Sequence, residues 1–171
     1  PDPPGPTLHE PDRWDADVVL SDGGTMRVRP IRPEDGELIF AFHERQSPES
    51  IYFRYFSPRP RLTEKEVARL TTVDGIDRMA FVGLINDELV GIARYDRHPA
   101  RSTAEVAFFT DDHHAGRGMA TVLLEYLAAW AREVGITGFT AQVLPTNRRM
   151  LGVFKQVGFG VNSRFSVLKD L

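Results

Sequence analysis

The sequence predicts a mixed α/β fold built on a largely antiparallel sheet, and three features predict it. Between Met79 and Thr110 three strand-like runs follow one another, separated only by short polar turns. From Met119 to Val134 apolar residues recur every three or four positions, the period of one helix face. A single strand–helix–strand unit follows, which is too little for a regular doubly wound sheet. At 171 residues, 42% hydrophobic and 26% charged, the chain has the size and composition of one domain with a real core.

The elements follow in order. Residues 1–13 hold Pro1, Pro3, Pro4, Pro6 and Pro11 and read as an extended linker or tail, with the folded domain occupying 14–171. Asp17–Leu20 and Thr25–Ile31 alternate around Asp22-Gly23-Gly24, a hairpin signal. Pro33-Glu34-Asp35 opens a helix with proline in the first turn and acids at the positive end of its dipole, and Leu38, Ile39 and Phe42 form its face. Ser47-Pro48-Glu49 restarts helix through Ile51, Tyr52 and Tyr55, and Thr63-Glu64-Lys65-Glu66 is a capping box that starts a third through Val67 and Leu70. Met79–Ile85, Leu89–Tyr95 and Ala104–Thr110 then form a meander. Gly135 ends the long helix, Phe139–Leu144 is a strand, Asn147–Val157 is a helix ended by Gly158, and Phe159–Phe165 is the last clear strand. Only Ser166–Leu171 remain, too few for a turn and a further strand pair, so the final strand is expected to be incomplete and the domain to be part of a longer protein.

Composition narrows the function. A net charge of −3 supplies no basic field for nucleic acid or an anionic membrane. The absence of cysteine removes disulfides, thiolate metal sites and a cysteine nucleophile, and fits a reducing, cytoplasmic setting. No apolar run approaches the roughly 18 residues of a membrane helix.

The chemistry concentrates where the strand Ala104–Thr110 runs through Asp111-Asp112-His113-His114-Ala115-Gly116-Arg117-Gly118 into the long helix. Glycines just before a helix let its first amides face an anion, which the dipole also favours, although a loop that merely needs flexible residues fits them too. A P-loop is excluded because no Gly-Lys-Ser/Thr opens the helix. A dinucleotide fingerprint is excluded because Thr121 holds the third glycine place. Asp111, Asp112, His113 and His114 are four adjacent residues that cannot easily converge on one ion, so no metal is expected.

The run Ala115-Gly116-Arg117-Gly118-Met119-Ala120 resembles the acyl-CoA motif of the GNAT family of acetyltransferases, with Ala115 standing where glutamine or arginine is usual. Asn147-Arg148-Arg149-Met150-Leu151-Gly152-Val153-Phe154-Lys155-Gln156-Val157-Gly158-Phe159 resembles the family's closing pattern. The likeness runs from about Thr25 to Phe165. It implies a mostly antiparallel sheet splayed at the acyl-CoA site, with pantetheine bonded to the backbone of Phe108, Phe109 and Thr110. Gly116, Arg117, Gly118, Met119, Ala120 and Thr121 would hold the pyrophosphate. Asn147 would meet the pantetheine arm, or equally serve as a helix cap. Arg148, Arg149 and Lys155 would reach the cofactor's 3′-phosphate or remain a solvated basic face.

Acyl transfer to an amine needs a neutral nucleophile, and a lysine amine has a reference pKa near 10.4. Glu105 stands where many members of the family carry a glutamate and is the candidate general base; the bland alternative is a solvated strand charge. Its face-mates Ala107 and Phe109 suggest an apolar surrounding that would raise its pKa. Phe154 occupies the place of a frequent family tyrosine and cannot donate a proton, which leaves it as an aromatic packed beside the cofactor. His43 and His98 have no assignable partner.

Finally, Trp14–Asp35 and His43–Phe56 resemble bacterial protein lysine acetyltransferases of the Pat type. That resemblance implies acetyl-CoA as donor and, as protein partner, an AMP-forming acyl-CoA synthetase acetylated on lysine, with a regulatory domain in the same chain. A small-molecule amine acetyltransferase and a non-catalytic acyl-CoA sensor stay open at this point.

Overall fold

The computed structural model describes residues 14–57, 61–114, 116–163 and 166–171. The proline-rich start and Ala115 lie outside them. The described residues form one eight-stranded sheet in the order β1-β2-β3-β4-β5-β6-β8-β7. These strands are β1 (Ala16–Val19), β2 (Thr25–Pro30), β3 (Arg78–Ile85), β4 (Glu88–Arg97), β5 (Thr103–Thr110), β6 (Gly138–Gln142), β7 (Gly160–Ser163) and β8 (Ser166–Asp170). All neighbours pair antiparallel except β5 and β6.

The helices cover both faces. A 3-10 turn at Pro33–Asp35 leads into α1 (Gly36–Glu44), followed by α2 (Pro48–Tyr55) and α3 (Glu64–Thr71). With Phe109, Leu89 and Val82 of the sheet, their apolar residues Ile39, Phe42, Ile51 and Val67 form one core. The helices α4 (Met119–Glu133) and α5 (Arg148–Gln156) close the larger core on the other face. There Trp14 packs 5.2 Å from Trp130 and 5.8 Å from Phe81, ring centre to ring centre, at the tilted angles aromatic pairs prefer. The Thr63 capping box forms as expected: its hydroxyl accepts from Glu66 N–H at 3.1 Å, and Glu66 accepts from Thr63 N–H at 3.3 Å.

One close approach packs α4 on the sheet. A Cβ on Gly91 of β4 would lie 2.9 Å from Leu123 Cδ1, so glycine here lets that α4 side chain pack directly on the strand.

The chain's end differs from the sequence expectation. Ser166–Asp170 form a strand with five register pairs to β6, from Gly138↔Asp170 to Gln142↔Ser166, and they also pair with β7. Val167 is buried while Leu168 faces out, the alternation of a sheet strand. The expected strand over 159–165 is shorter, at Gly160–Ser163, and its last two residues lie outside the described ones.

Candidate active site

The site is made by a sheet that stops pairing. Strand β5 meets β6 only at Thr103↔Gly138, Ala104↔Phe139 and Glu105↔Thr140. Beyond Glu105 the two strands part, while β5 stays paired to β4 as far as Gly91↔Thr110. The β6-facing edge of residues 106–110 is therefore open, a row of backbone groups with hydrogen-bonding capacity to spare. The parting wedge is filled from one side by Phe154 of α5. Its ring centre lies 5.1 Å from that of Phe108 and 4.8 Å from that of Phe159. Phe154 is 2% exposed and is a core aromatic, as its chemistry suggested.

A cleft of about 680 Å³ runs from this opening to the start of α4. Phe108, Phe109 and Thr110 line it from β5; Gly116, Arg117, Gly118, Met119, Ala120 and Thr121 line its far end; Asn147, Arg149 and Met150 border it from α5 and its cap. The structure thus brings together every one of the expected cofactor residues except Phe154, which lines only the smaller adjoining cavity. Arg148 and Lys155 are exposed and stand outside the cleft.

The far end presents backbone N–H groups to the cleft. Gly116 and Gly118 adopt φ of 78° and 83°, the left-handed region where a side chain is strained. Gly118 is the N-cap of α4 and supplies no side-chain bond, and the first bond into the helix is Val122 N–H to Gly118 C=O at 3.2 Å. The amides of Met119, Ala120 and Thr121 thus have no partner within the helix and open on the cleft.

The Arg117 side chain is directed elsewhere. Its Nε lies 2.6 Å from Asp22 Oδ2 in the β1–β2 turn, and its backbone C=O accepts from Ser21 N–H at 3.1 Å. The hairpin read from Asp22-Gly23-Gly24 therefore also anchors the glycine loop. The opposite wall is tied as well. Asp112 accepts from Ser47 N–H at 2.8 Å and Ser50 Oγ at 2.6 Å, which fixes the start of α2 to the loop after β5. Asp111 is 2% exposed and accepts from His113 N–H at 2.9 Å and Arg45 Nε at 3.3 Å. Burial works against its charge, but these hydrogen bonds outweigh it and hold the carboxyl below its ordinary value. Both aspartates are structural ties. Among the described residues no group of three or more His, Asp or Glu side chains could hold a metal ion.

Glu105 lies at the vertex of the split, the last residue of β5 paired to β6. It borders a small cavity of about 70 Å³ together with Phe53, Arg54, Phe108, Gln142, Asn147 and Phe154. Its side chain is exposed, because Phe109 of the same face turns into the core under α1 and leaves Ala107 as its near neighbour on the strand. Asp96 of β4 stands directly opposite it and is held by Arg78 at 3.0 Å and by Arg94. Asn147 acts as a cap, its Oδ1 accepting from Met150 N–H at 3.2 Å, so its amide N–H groups are what remains for a ligand. His98 bonds Thr140 Oγ1 at 3.0 Å, and His43 is buried with its ring 5.8 Å from that of Tyr55.

Sequence reasoning missed Arg54. It lines the cleft, the Glu105 cavity and a third small cavity behind them. The signal was available: Arg54 follows the buried Ile51 by three residues and so shares the inward face of α2.

Residues 41–159 match the Acetyltransferase (GNAT) family. The chain belongs to that family, and its reaction is acyl transfer from acetyl-CoA. The GNAT domain of S. lividans PAT superposes with a TM-score of 0.91 and 44% identity, over 94% of this chain and 99% of that one. Within the family the chain is closely related to bacterial Pat-like enzymes. Acetyltransferase Pat of Mycolicibacterium smegmatis is 31% identical over 145 residues, which are 82% of this chain and 43% of that protein. Acetyltransferase PA5475 of Pseudomonas aeruginosa is 30% identical over 144 residues, 82% of this chain and 77% of that one. The cAMP-binding acyltransferase from Mycobacterium smegmatis superposes with a TM-score of 0.65 at 27% identity, over 91% of this chain and 46% of that one. Among the described residues no helix is long and apolar enough to cross a membrane.

Proposed function

We propose that this domain transfers an acetyl group from acetyl-CoA directly to a lysine side chain of a protein, an AMP-forming acyl-CoA synthetase, with Glu105 as general base. One observation carries the reading: β5–β6 pairing ends at Glu105, so the open strand edge and the carboxylate meet at one point. The free edge of Phe108–Thr110 extends its hydrogen bonds to the amides of the pantetheine arm. The unpartnered amides of Met119, Ala120 and Thr121 receive the pyrophosphate at the positive end of α4. Asn147 donates from its side-chain amide to the arm, and Arg149 supplies positive charge toward the phosphates at the cleft's edge.

On the acceptor side Glu105 takes the proton from the lysine ammonium, directly or through a water, so that the neutral amine attacks the thioester carbon. Exposure of Glu105 suits proton exchange with solvent between turnovers. No cysteine is present to carry a covalent acyl intermediate, which favours direct transfer.

The size of the acceptor side favours a protein over a small amine. The cavity at Glu105 holds about 70 Å³, room for the end of a lysine side chain and not for a whole small-molecule acceptor. Phe56, the C-cap of α2, borders this cavity and is 39% exposed, and Tyr52 on α2 is 46% exposed, both available to a protein surface. The relationship to Pat-type enzymes supports the synthetase as acceptor, and a regulatory part joined to this domain belongs to the same proposal. Incubation with acetyl-CoA and a panel of acyl-CoA synthetases tests it. Acetylation of one active-site lysine is the expected mass-spectrometric result, and turnover on free amines with no modified protein lysine would overturn it.

A further inference from the structure

The departing sulfur needs either a proton or a compensating charge, and Phe154, packed in the wedge, offers neither. Two cavities meet at a neck lined by Phe53, Arg54, Phe108, Asn147 and Met150. One holds the open strand edge and the start of α4; the other holds Glu105. If the acyl carbon is to be reached from the Glu105 side, the thioester lies at that neck. Among these five residues Arg54 alone carries a charge.

We propose that the Arg54 guanidinium stabilises the coenzyme A thiolate as it leaves, acting as an electrostatic catalyst in place of a general acid. The proposal rests on the donor site described above. Arg54 is unusual in being uncommitted. Among the described residues its guanidinium makes no hydrogen bond or ion pair, while lying over the Tyr55 ring at 4.7 Å from the centroid. Most arginines around it are engaged: Arg45 with Asp111, Arg78 and Arg94 with Asp96, and Arg117 with Asp22. Burial pushes the Arg54 guanidinium down to about 10, and the like charge of Arg94 adds to this. It therefore stays cationic at neutral pH, yet its charge is incompletely compensated. Tyr55, Glu105 and Asp96 favour its charged form, and a new anion at the neck would do so more strongly.

Glu105 removes one proton from the lysine ammonium and passes it to solvent. The amine's lone pair forms the C–N bond, giving an adduct with a cationic nitrogen and an oxyanion. Glu105 takes the second nitrogen proton as the oxyanion re-forms the carbonyl. The C–S bond breaks with its electron pair going to sulfur, and the thiolate faces Arg54. It is protonated by solvent only after release, which a thiol pKa near 8.5 permits.

The test measures binding of product rather than rate. Coenzyme A and desulfo-coenzyme A, which lacks the thiol, are titrated calorimetrically between pH 6 and 9.5 against wild type, Arg54→Gln and Arg54→Lys. The charged and titratable groups near the neck are Arg94, Asp96, Glu105, Tyr55 and His43, with Glu49, Asp112, His114, Arg117 and Arg149 in the cleft. Their titration affects both ligands, so the affinity ratio isolates the thiol. A cation this close lowers a pKa by about one to three units, so the ratio should rise about tenfold or more with pH in wild type. It should be flat in Arg54→Gln and partly restored in Arg54→Lys, with thiolate ultraviolet absorbance following the same order. Unchanged desulfo-coenzyme A affinity in the variants shows that the fold is intact. A flat ratio in wild type, or an undiminished rise in Arg54→Gln, overturns the role of Arg54 while leaving the donor site standing. Failure of both ligands to bind wild type would instead remove the donor site, and this inference with it.

Discussion

Replacing Glu105 with glutamine keeps the shape of the side chain at the vertex of the split and removes only its basicity. At pH 7 a lysine ammonium lies about 3.4 pH units below its pKa, so presenting the neutral amine without help costs roughly 4.6 kcal/mol. A positioned base recovers much of this, and its loss typically lowers the rate by about 10²–10⁴-fold, roughly 3–5 kcal/mol of barrier. Little else should change. Glu105 lines only the small cavity at the split, and the cleft that ends at α4 does not include it. Acetyl-CoA affinity of Glu105→Gln should therefore match wild type by calorimetry. The wild-type rate should depend on pH less steeply than the variant's, whose kcat should climb about tenfold per pH unit toward the lysine pKa, as solvent takes over the deprotonation. A variant within threefold of wild type at pH 7 would refute the reasoning and leave a solvent-only route. Asp111 would not replace it, because that carboxylate is buried and bonded to His113 and Arg45.

Gly118→Asp should abolish measurable acetyl-CoA binding, since it forces a side chain onto a φ of 83° and sets a carboxylate at the anion end of α4; unchanged calorimetric affinity in a folded variant would contradict this. Initial-rate kinetics should give intersecting lines for acetyl-CoA and acceptor, and parallel lines would contradict direct transfer. Asp35→Ala leaves Arg29, 8% exposed, without the bidentate partner at 2.7 and 2.8 Å, and should cost about 3–5 kcal/mol, roughly 6–20 °C in Tm. Burial opposes the Asp35 charge, but Arg29 and the Arg32 amide outweigh it and lower its pKa. Its contribution is therefore present above the unfolded value near 3.9 and lost as pH falls through the folded one, so the wild-type advantage should shrink in acid denaturation.

The legible parts of this molecule were those with local signals. The hairpin turn, the Thr63 capping box and the apolar stripe of α4 are each written within a few residues of themselves. The last strand escaped because its partner β6 lies 24 to 32 residues earlier in the register, although Val167 and Leu168 alternate as a strand should. The positions flanking the cleft could be read from the glycine pattern, but the split itself could not. It is the end of a pairing between distant strands, and no local sequence marks where pairing stops. The exposure of Glu105 was misjudged for a related reason: alternation gives its face, not what covers that face. Arg117 lines the far end of the cleft, but position alone did not show that its side chain pairs with Asp22, 95 residues away.

The most direct test of the account is a crystal structure of the domain with coenzyme A. The molecule carries a second large groove, about 710 Å³, between α4, α5 and β8 and bordered by Ala128, Val157, Phe159 and Lys169. The account predicts pantetheine between β5 and β6, bonded to the backbone of Phe108–Thr110, with the pyrophosphate on the amides of Met119, Ala120 and Thr121. Coenzyme A seated in the groove by Lys169, with the β5–β6 split left empty, would contradict it.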